Sequence, residues 1–240
     1  RPRGRLTLTE DGEPVYGPRD RLDLAKVRAA GLPFWLAGGY STPERLAEAR
    51  SAGAAGVQVG TAFALCRESG LDPVLRQRLL SAAANGTVVV RNHADWSPTG
   101  FPFKVAHMPG TVSEDDVYAA RPRRCDLGYL RTPFRKADGR IGYRCPAEPV
   151  ETFVRKGGSV AETAAARCLC NGLLATIGLG QHRADGYVEP PLATLGQDVT
   201  FLPALLRHGD YSAADVVTYL LGSDDTKPPP SAPGATHQRN

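Results

Sequence analysis

LPFWLAGGYSTPERLAEARSAGAAGVQVGTAFALC, residues 32–66, decides how the chain folds. Its first part, PFWLAGG (33–39), is a short apolar run closed by two glycines, which suits a strand buried on both faces. STPERLAEARSAG follows at once. Ser41 or Thr42 can cap a helix, Pro43 fits its first position, and Glu44 completes a Ser-x-x-Glu box with Ser41. GVQVG (56–60) is the next strand, and TAFALCRES after it can begin another helix. Strand, helix and strand in so short a span form a βαβ unit, so the two strands should lie parallel.

Two motifs sit where these strands end, LAGGY at 36–40 and VQVGTAF at 57–63. Glycines at such exits let the backbone approach a ligand, and free N–H groups there attract an anion. Loops after adjacent barrel strands often hold a phosphate. Gly38, Gly39 and Gly60 would then donate backbone N–H groups, and Thr61 a hydroxyl as well. Taken singly, each motif is explained equally well by a tight turn. It is the pairing, with Gly-Thr at the second exit, that favours a shared phosphate.

Working outward, residues 1–20 alternate as RLTLT, turn at Asp11-Gly12 and return, as a short hairpin would. Residues 22–30 have helical spacing and end at Gly31. Asp72-Pro73 opens a helix with a Leu71, Leu75, Leu79 stripe, closed by Asn85-Gly86. TVVVR reads as a strand, and NHADWSPTGFPFKV as a loop with an extended end. From 113 to 222 the pattern is mainly helical. Ser159 with Glu162 makes a capping box before AAARC, and Ser212 with Asp215 opens a last helix that Gly222 ends. Residues 223–240 lack large apolar side chains and should be a disordered tail.

LPFWLAGGYSTPERLAEARSAGAAGVQVGTAFALC closely resembles the C-terminal barrel segment of the nitronate monooxygenase (2-nitropropane dioxygenase) family. SPTGFPFKV (97–105) is similar to the family's extended segment just past the barrel. CDLGYLR, GYRCPAEP and CLCNGLLATIGLGQ resemble the C-terminal extension of one bacterial branch. The resemblance implies an α/β chain, the C-terminal portion of an FMN-dependent (β/α)8 TIM barrel followed by a mainly helical extension. Residues 1–30 would be an excursion of the barrel, 31–112 its last βα units, 113–222 the extension and 223–240 the tail. It also implies non-covalent FMN with its phosphate at Gly38, Gly39, Gly60 and Thr61, and Gln58 near the flavin. The implied reaction oxidises an alkyl nitronate or related carbon acid, with dioxygen reoxidising the cofactor. Relatives on the same barrel reduce enoyl thioesters with a nicotinamide. A different kind of alternative is a non-catalytic fragment that docks on a partner.

Only two barrel strands can be placed where eight are needed. In the family, the strand carrying the catalytic histidine precedes the segment that resembles Arg1. None of His93, His107, His182, His208 or His237 matches it, so no catalytic residue is assigned; His237 falls in the tail and each of the others reads as a surface or structural histidine. An N-terminal barrel portion or another chain is expected to complete the fold.

Cys125, Cys145, Cys168 and Cys170 fall close together and admit a structural zinc, an iron–sulfur cluster or no metal, since their spacing matches no common pattern. Cys66 reads as a core residue. Residues 121–158 carry ten Lys/Arg against four Asp/Glu, either a solvated face or a means of steering a coenzyme A or carrier-protein thioester. Trp35, Phe34, Phe101 and Phe103 could wall an apolar pocket or simply pack in the core. A net charge of +4 is too small to argue for nucleic acid, and no apolar run is long enough for a membrane span. The opening RPRGRLTLTEDGEP has no apolar h-region and no Met, so the expectation is a start that lies elsewhere and no secretory leader. An odd number of cysteines without such a leader points to reduced thiols or a metal rather than disulfides, and to the cytoplasm.

Overall fold

The computed structural model describes residues 7–222, so the hairpin's first residues and the tail fall outside the described residues. Of the hairpin, a turn remains, with an isolated bridge between Leu8 and Pro14. Helix α1 (Leu24–Ala29) is capped by Asp23, whose carboxylate accepts from two amides of the first turn. Gly31 leaves it with φ +67, a left-handed conformation that favours glycine.

Strand β1 (Trp35–Ala37), helix α2 (Pro43–Ser51) and strand β2 (Gly56–Gln58) form the expected unit. The strands pair in parallel, with Leu36 opposite Val57 and Ala37 opposite Gln58. Thr42 is the α2 cap and receives Arg45 N–H. The expected Ser41–Glu44 box does not form; Ser41 is buried beside the strand exit instead. The expectation of strands buried on both faces also fails. Leu36 packs on Ala49 and Ala54, but Trp35 is 60% exposed, because only one face of the pair is covered by a helix.

Helix α3 (Thr61–Ala64) is one short turn rather than a helix through Ser69. Helix α4 (Pro73–Ala84) is capped by Asp72 and buries Leu75 and Leu79 as its stripe demands. Strand β3 (Val89–His93) then pairs antiparallel with β4 (Phe103–His107). The extended end read at the close of 92–105 is thus the start of β4, and Asn92 and His93 belong to β3.

In the extension, α5 (Asp115–Ala120) precedes a second hairpin, β5 (Thr132–Arg135) with β6 (Ile141–Arg144). That hairpin is an addition to the mainly helical pattern read from the sequence. Helix α6 (Val150–Arg155) follows, then α7 (Val160–Thr163), which has the Ser159–Glu162 box but stops before AAARC. Helices α8 (Leu169–Thr176), α9 (Leu202–Leu205) and α10 (Ala213–Leu221) complete the chain, the last with its Ser212–Asp215 box. Among the described residues there are three two-stranded sheets and no closed barrel. No helix among them is long and apolar enough to cross a membrane.

The main core joins the βα segment to the end of the extension. Leu65 and Leu79 pack in one cluster with Phe201, Leu202, Tyr211 and Val216. Each is fully buried, and such a leucine or phenylalanine contributes about 1.5–3 kcal/mol. Cys66 belongs to the same cluster, as expected. Polar ties reinforce the join: Tyr211 donates its hydroxyl to the Ala62 carbonyl at 2.8 Å, and Arg76 on α4 pairs with Asp210 while its Nε donates to the carbonyls of Leu65 and Cys66. This core holds the two strand exits against residues 193–198.

Candidate functional site

The exits of β1 and β2 open onto one cavity of about 440 Å³. Gly38, Gly39, Gln58, Gly60 and Thr61, all five residues expected from the sequence, line it together. Their convergence follows from the parallel pairing, which places Ala37 beside Gln58 and so brings the following turns to the same edge.

Gly38 and Gly39 adopt φ +87 and +78, a backbone that L side chains rarely take. Gly60 has φ −105, so conformation does not require glycine there. A Cβ built on Gly38 or Gly60 would meet nothing within 4 Å, which means both border open space rather than neighbouring protein. Among the described residues, the N–H groups of Gly39, Gly60 and Thr61 donate to no protein acceptor. The cavity therefore has bare backbone, unfilled volume and unsatisfied donors at one edge.

Two further segments meet here that sequence reasoning missed, Lys104 on β4 and Gly196-Gln197-Asp198, while Ala37 and Ser41 line the cavity on either side of the two glycines. Thr194 donates its hydroxyl to the Lys104 carbonyl at 2.7 Å, which fastens the 190s segment along β4. Thr61 accepts from the Gly196 N–H at 2.7 Å. Asp198 is held by the N–H and hydroxyl of Thr200, at 3.0 and 2.6 Å. Lys104 and Asp198 are the charged residues of the lining. Only the SPTGFPFKV motif hinted at Lys104; nothing local marks LGQD as a partner of a turn so far back in the chain.

The cysteines do not form the zinc site that their clustering suggested. Among the described residues, no group of three or more His, Cys, Asp or Glu is placed to hold a metal ion. Cys145 and Cys168 pack with Ala147 and Ala166 in a small apolar cluster. Burial pushes the Cys145 thiol up to about 12.

The aromatic residues part company as well. Trp35 is exposed, Phe34 packs beside Leu36, Phe103 joins the core around Trp96, and Phe101 borders a separate cavity near Arg144 and Phe153. The histidines contribute a pair that the sequence did not announce. His93 and His107, on the two arms of one hairpin, bring their Nε2 atoms to 2.9 Å, and His93 stacks on Trp96 at 3.6 Å. Neither lines the cavity.

Residues 19–97 match the family described as nitronate monooxygenase, a stretch that contains all five expected site residues. A curated relative, the (3aS,4S,5R,7aS)-5-hydroxy-7a-methyl-1-oxo-octahydro-1H-indene-4-carboxyl-CoA dehydrogenase of Mycobacterium tuberculosis (strain ATCC 25618 / H37Rv), is 41% identical over 66 residues. Those residues are 28% of this chain and 19% of that protein, so the match spans about a fifth of the relative's length. No solved structure matches the chain. Lys104 and Gly196–Asp198 lie beyond the matched stretch, so the cavity combines residues inside that stretch with residues outside it.

Proposed function

We propose that this chain carries the flavin-phosphate end of an FMN-dependent oxidoreductase of the nitronate monooxygenase type, acting on an alkyl nitronate or related carbon acid. The observation that carries the reading is the convergence of Gly38, Gly39, Gln58, Gly60 and Thr61 on one cavity with open space against the glycines. Oxyanions are held by backbone N–H groups and hydroxyls in such concavities. In this reading Gly39, Gly60 and Thr61 donate to the phosphate, Lys104 balances its charge, and Gln58 offers its amide to the ring system. Asp198 accepts from the hydroxyls of the ribityl chain. Bound flavin supplies two-electron redox chemistry; the chain's own residues bind and orient it.

The uncovered face of β1 and β2, with Trp35 outward, is where further barrel strands would pack, supplied by an N-terminal portion or another chain. A site for the substrate's reacting carbon would be built there, and no catalytic base is assigned to this chain.

A second reading is favoured by one observation, the relative named as a carboxyl-CoA dehydrogenase. On that reading the flavin partner is a thioester, and a nicotinamide delivers the electrons. Titrating FMN into the purified chain and following the quenching of flavin fluorescence tests the shared part. Anaerobic bleaching by a nitronate alone supports the first reading, and bleaching only by NAD(P)H supports the second. A chain that leaves FMN fluorescence untouched contradicts both and returns the molecule to a partner-docking role.

A further inference from the structure

A concentration of positive charge lies in a cavity separate from the one at the strand exits. Arg121, Arg123 and Arg167 line a cavity of about 340 Å³ together with Asp115, Tyr118 and Ala164. The hydrogen bonds of these arginines do not close. Arg121 is wholly buried; its Nε donates to Glu189 and its Nη2 to the Arg124 carbonyl at 3.3 Å, while its Nη1 has no partner. Arg167 is 10% exposed and pairs through Nη2 with Asp115, while its buried Nε has no partner. Arg123 donates only to the carbonyls of Pro146, Glu148 and Thr163, which are neutral.

Three guanidinium groups therefore face two carboxylates, Asp115 and Glu189, and one positive charge is left over. Buried charged N–H groups without an acceptor are costly to keep, and guanidinium forks match the geometry of phosphate oxygens. The groups are also held in place. Arg167 lies over the rings of Trp96 and Tyr118 at 4.5 and 4.2 Å, and the Tyr118 hydroxyl is fixed on the Ala166 carbonyl at 2.9 Å. A rigid, charged and unsatisfied set of donors is preorganised for an anion.

We propose that this cavity binds a phosphoryl oxyanion, held by the positive charge of Arg121, Arg123 and Arg167 in its wall. Asp115 is the competitor at its mouth: its side chain is 92% exposed and its carboxylate occupies one Arg167 nitrogen. The phosphoryl group could belong to a nucleotide-bearing thioester cofactor or be free phosphate. The site stands on the arginines alone and does not depend on the flavin reading.

Isothermal titration of the full chain with inorganic phosphate and with adenosine 3′,5′-bisphosphate, each with and without excess FMN, tests it. Phosphate binding should persist in FMN, weaken about tenfold in R167Q and tighten about threefold in D115N. Tighter binding of the bisphosphate identifies a nucleotide source, and equal binding identifies free phosphate. Binding that FMN abolishes places the anion in the flavin cavity and overturns the proposal, as does an absence of binding. Should R167Q fail to fold, D115N remains decisive, because it alters an exposed side chain and an unchanged affinity there also overturns the proposal.

Discussion

The hydroxyl of Thr61 accepts the N–H of Gly196 at 2.7 Å, joining two sides of one cavity that lie 135 residues apart in the chain. A hydroxyl has one hydrogen and two acceptor lone pairs, so this contact leaves the Thr61 hydrogen free for a ligand. The approach is close. A Cβ on Gly196 would fall 2.9 Å from Thr61 Oγ1, which accounts for glycine at a position with no unusual φ.

Replacing Thr61 with Val removes both the tie and the donor while keeping the shape. FMN affinity, followed by fluorescence quenching, should fall about tenfold in T61V and stay near the parent value in T61S. Equal affinities in all three proteins would mean that the phosphate sits elsewhere.

The two charged residues of the lining should act with opposite signs. K104Q removes attraction for a phosphate and should weaken FMN binding, with a shallower dependence on salt. D198N keeps an acceptor oxygen for the ribityl hydroxyls but removes a negative charge facing the phosphate, and should tighten binding when measured at low ionic strength. The reverse pattern would sink the assignment of a phosphate to this end.

Arg121 and Glu189 form an ion pair with side chains 0% and 1% exposed. E189Q leaves a buried guanidinium without its counter-charge and should cost about 3–5 kcal/mol in urea denaturation. D210N, at the partly exposed Arg76 pair, should cost roughly 1–2 kcal/mol. A smaller loss for E189Q than for D210N would contradict the burial described above.

Acid should loosen the hairpin. Burial, with His107 and Arg167 beside it, lowers His93 from its ordinary 6.5 to about 4. Between those values the unfolded chain binds a proton that the folded chain refuses. Stability is therefore complete above pH 6.5 and declines as the pH falls toward 4. Water at the half-buried ring screens part of the effect, leaving on the order of 1–2 kcal/mol. Urea midpoints measured at pH 7 and pH 5 should show the decline in the parent and a smaller one in H93F, which keeps an aromatic ring on Trp96. A parent with equal midpoints at the two pH values refutes the expectation.

What is legible in the sequence is what neighbours within a few residues decide. Asp72, Ser159 and Ser212 each cap the helix that follows because their side chains reach an amide three residues on. Gly38 and Gly39 mark the first exit because their φ values admit few other residues. Serine and threonine side by side gave no such certainty: both can cap, and packing gave the cap to Thr42 and left Ser41 on the cavity wall. The apolar run at 33–39 could not show that one of its faces would stand open, since hydrophobicity says what a strand prefers and not what is there to cover it.

By itself, then, the amino-acid order determined the parallel βαβ unit and Gly38, Gly39, Gly60 and Thr61 at its exits, because hydrogen bonding and backbone sterics there are local; Gln58 was implied only by the family resemblance. Tertiary structure alone decided that Lys104 and Gly196–Asp198 close the same cavity, that Arg121 meets Glu189, and that His93 touches His107. Those contacts join segments through packing and charge across folded space. No periodicity or spacing along the chain encodes which distant side chain will arrive.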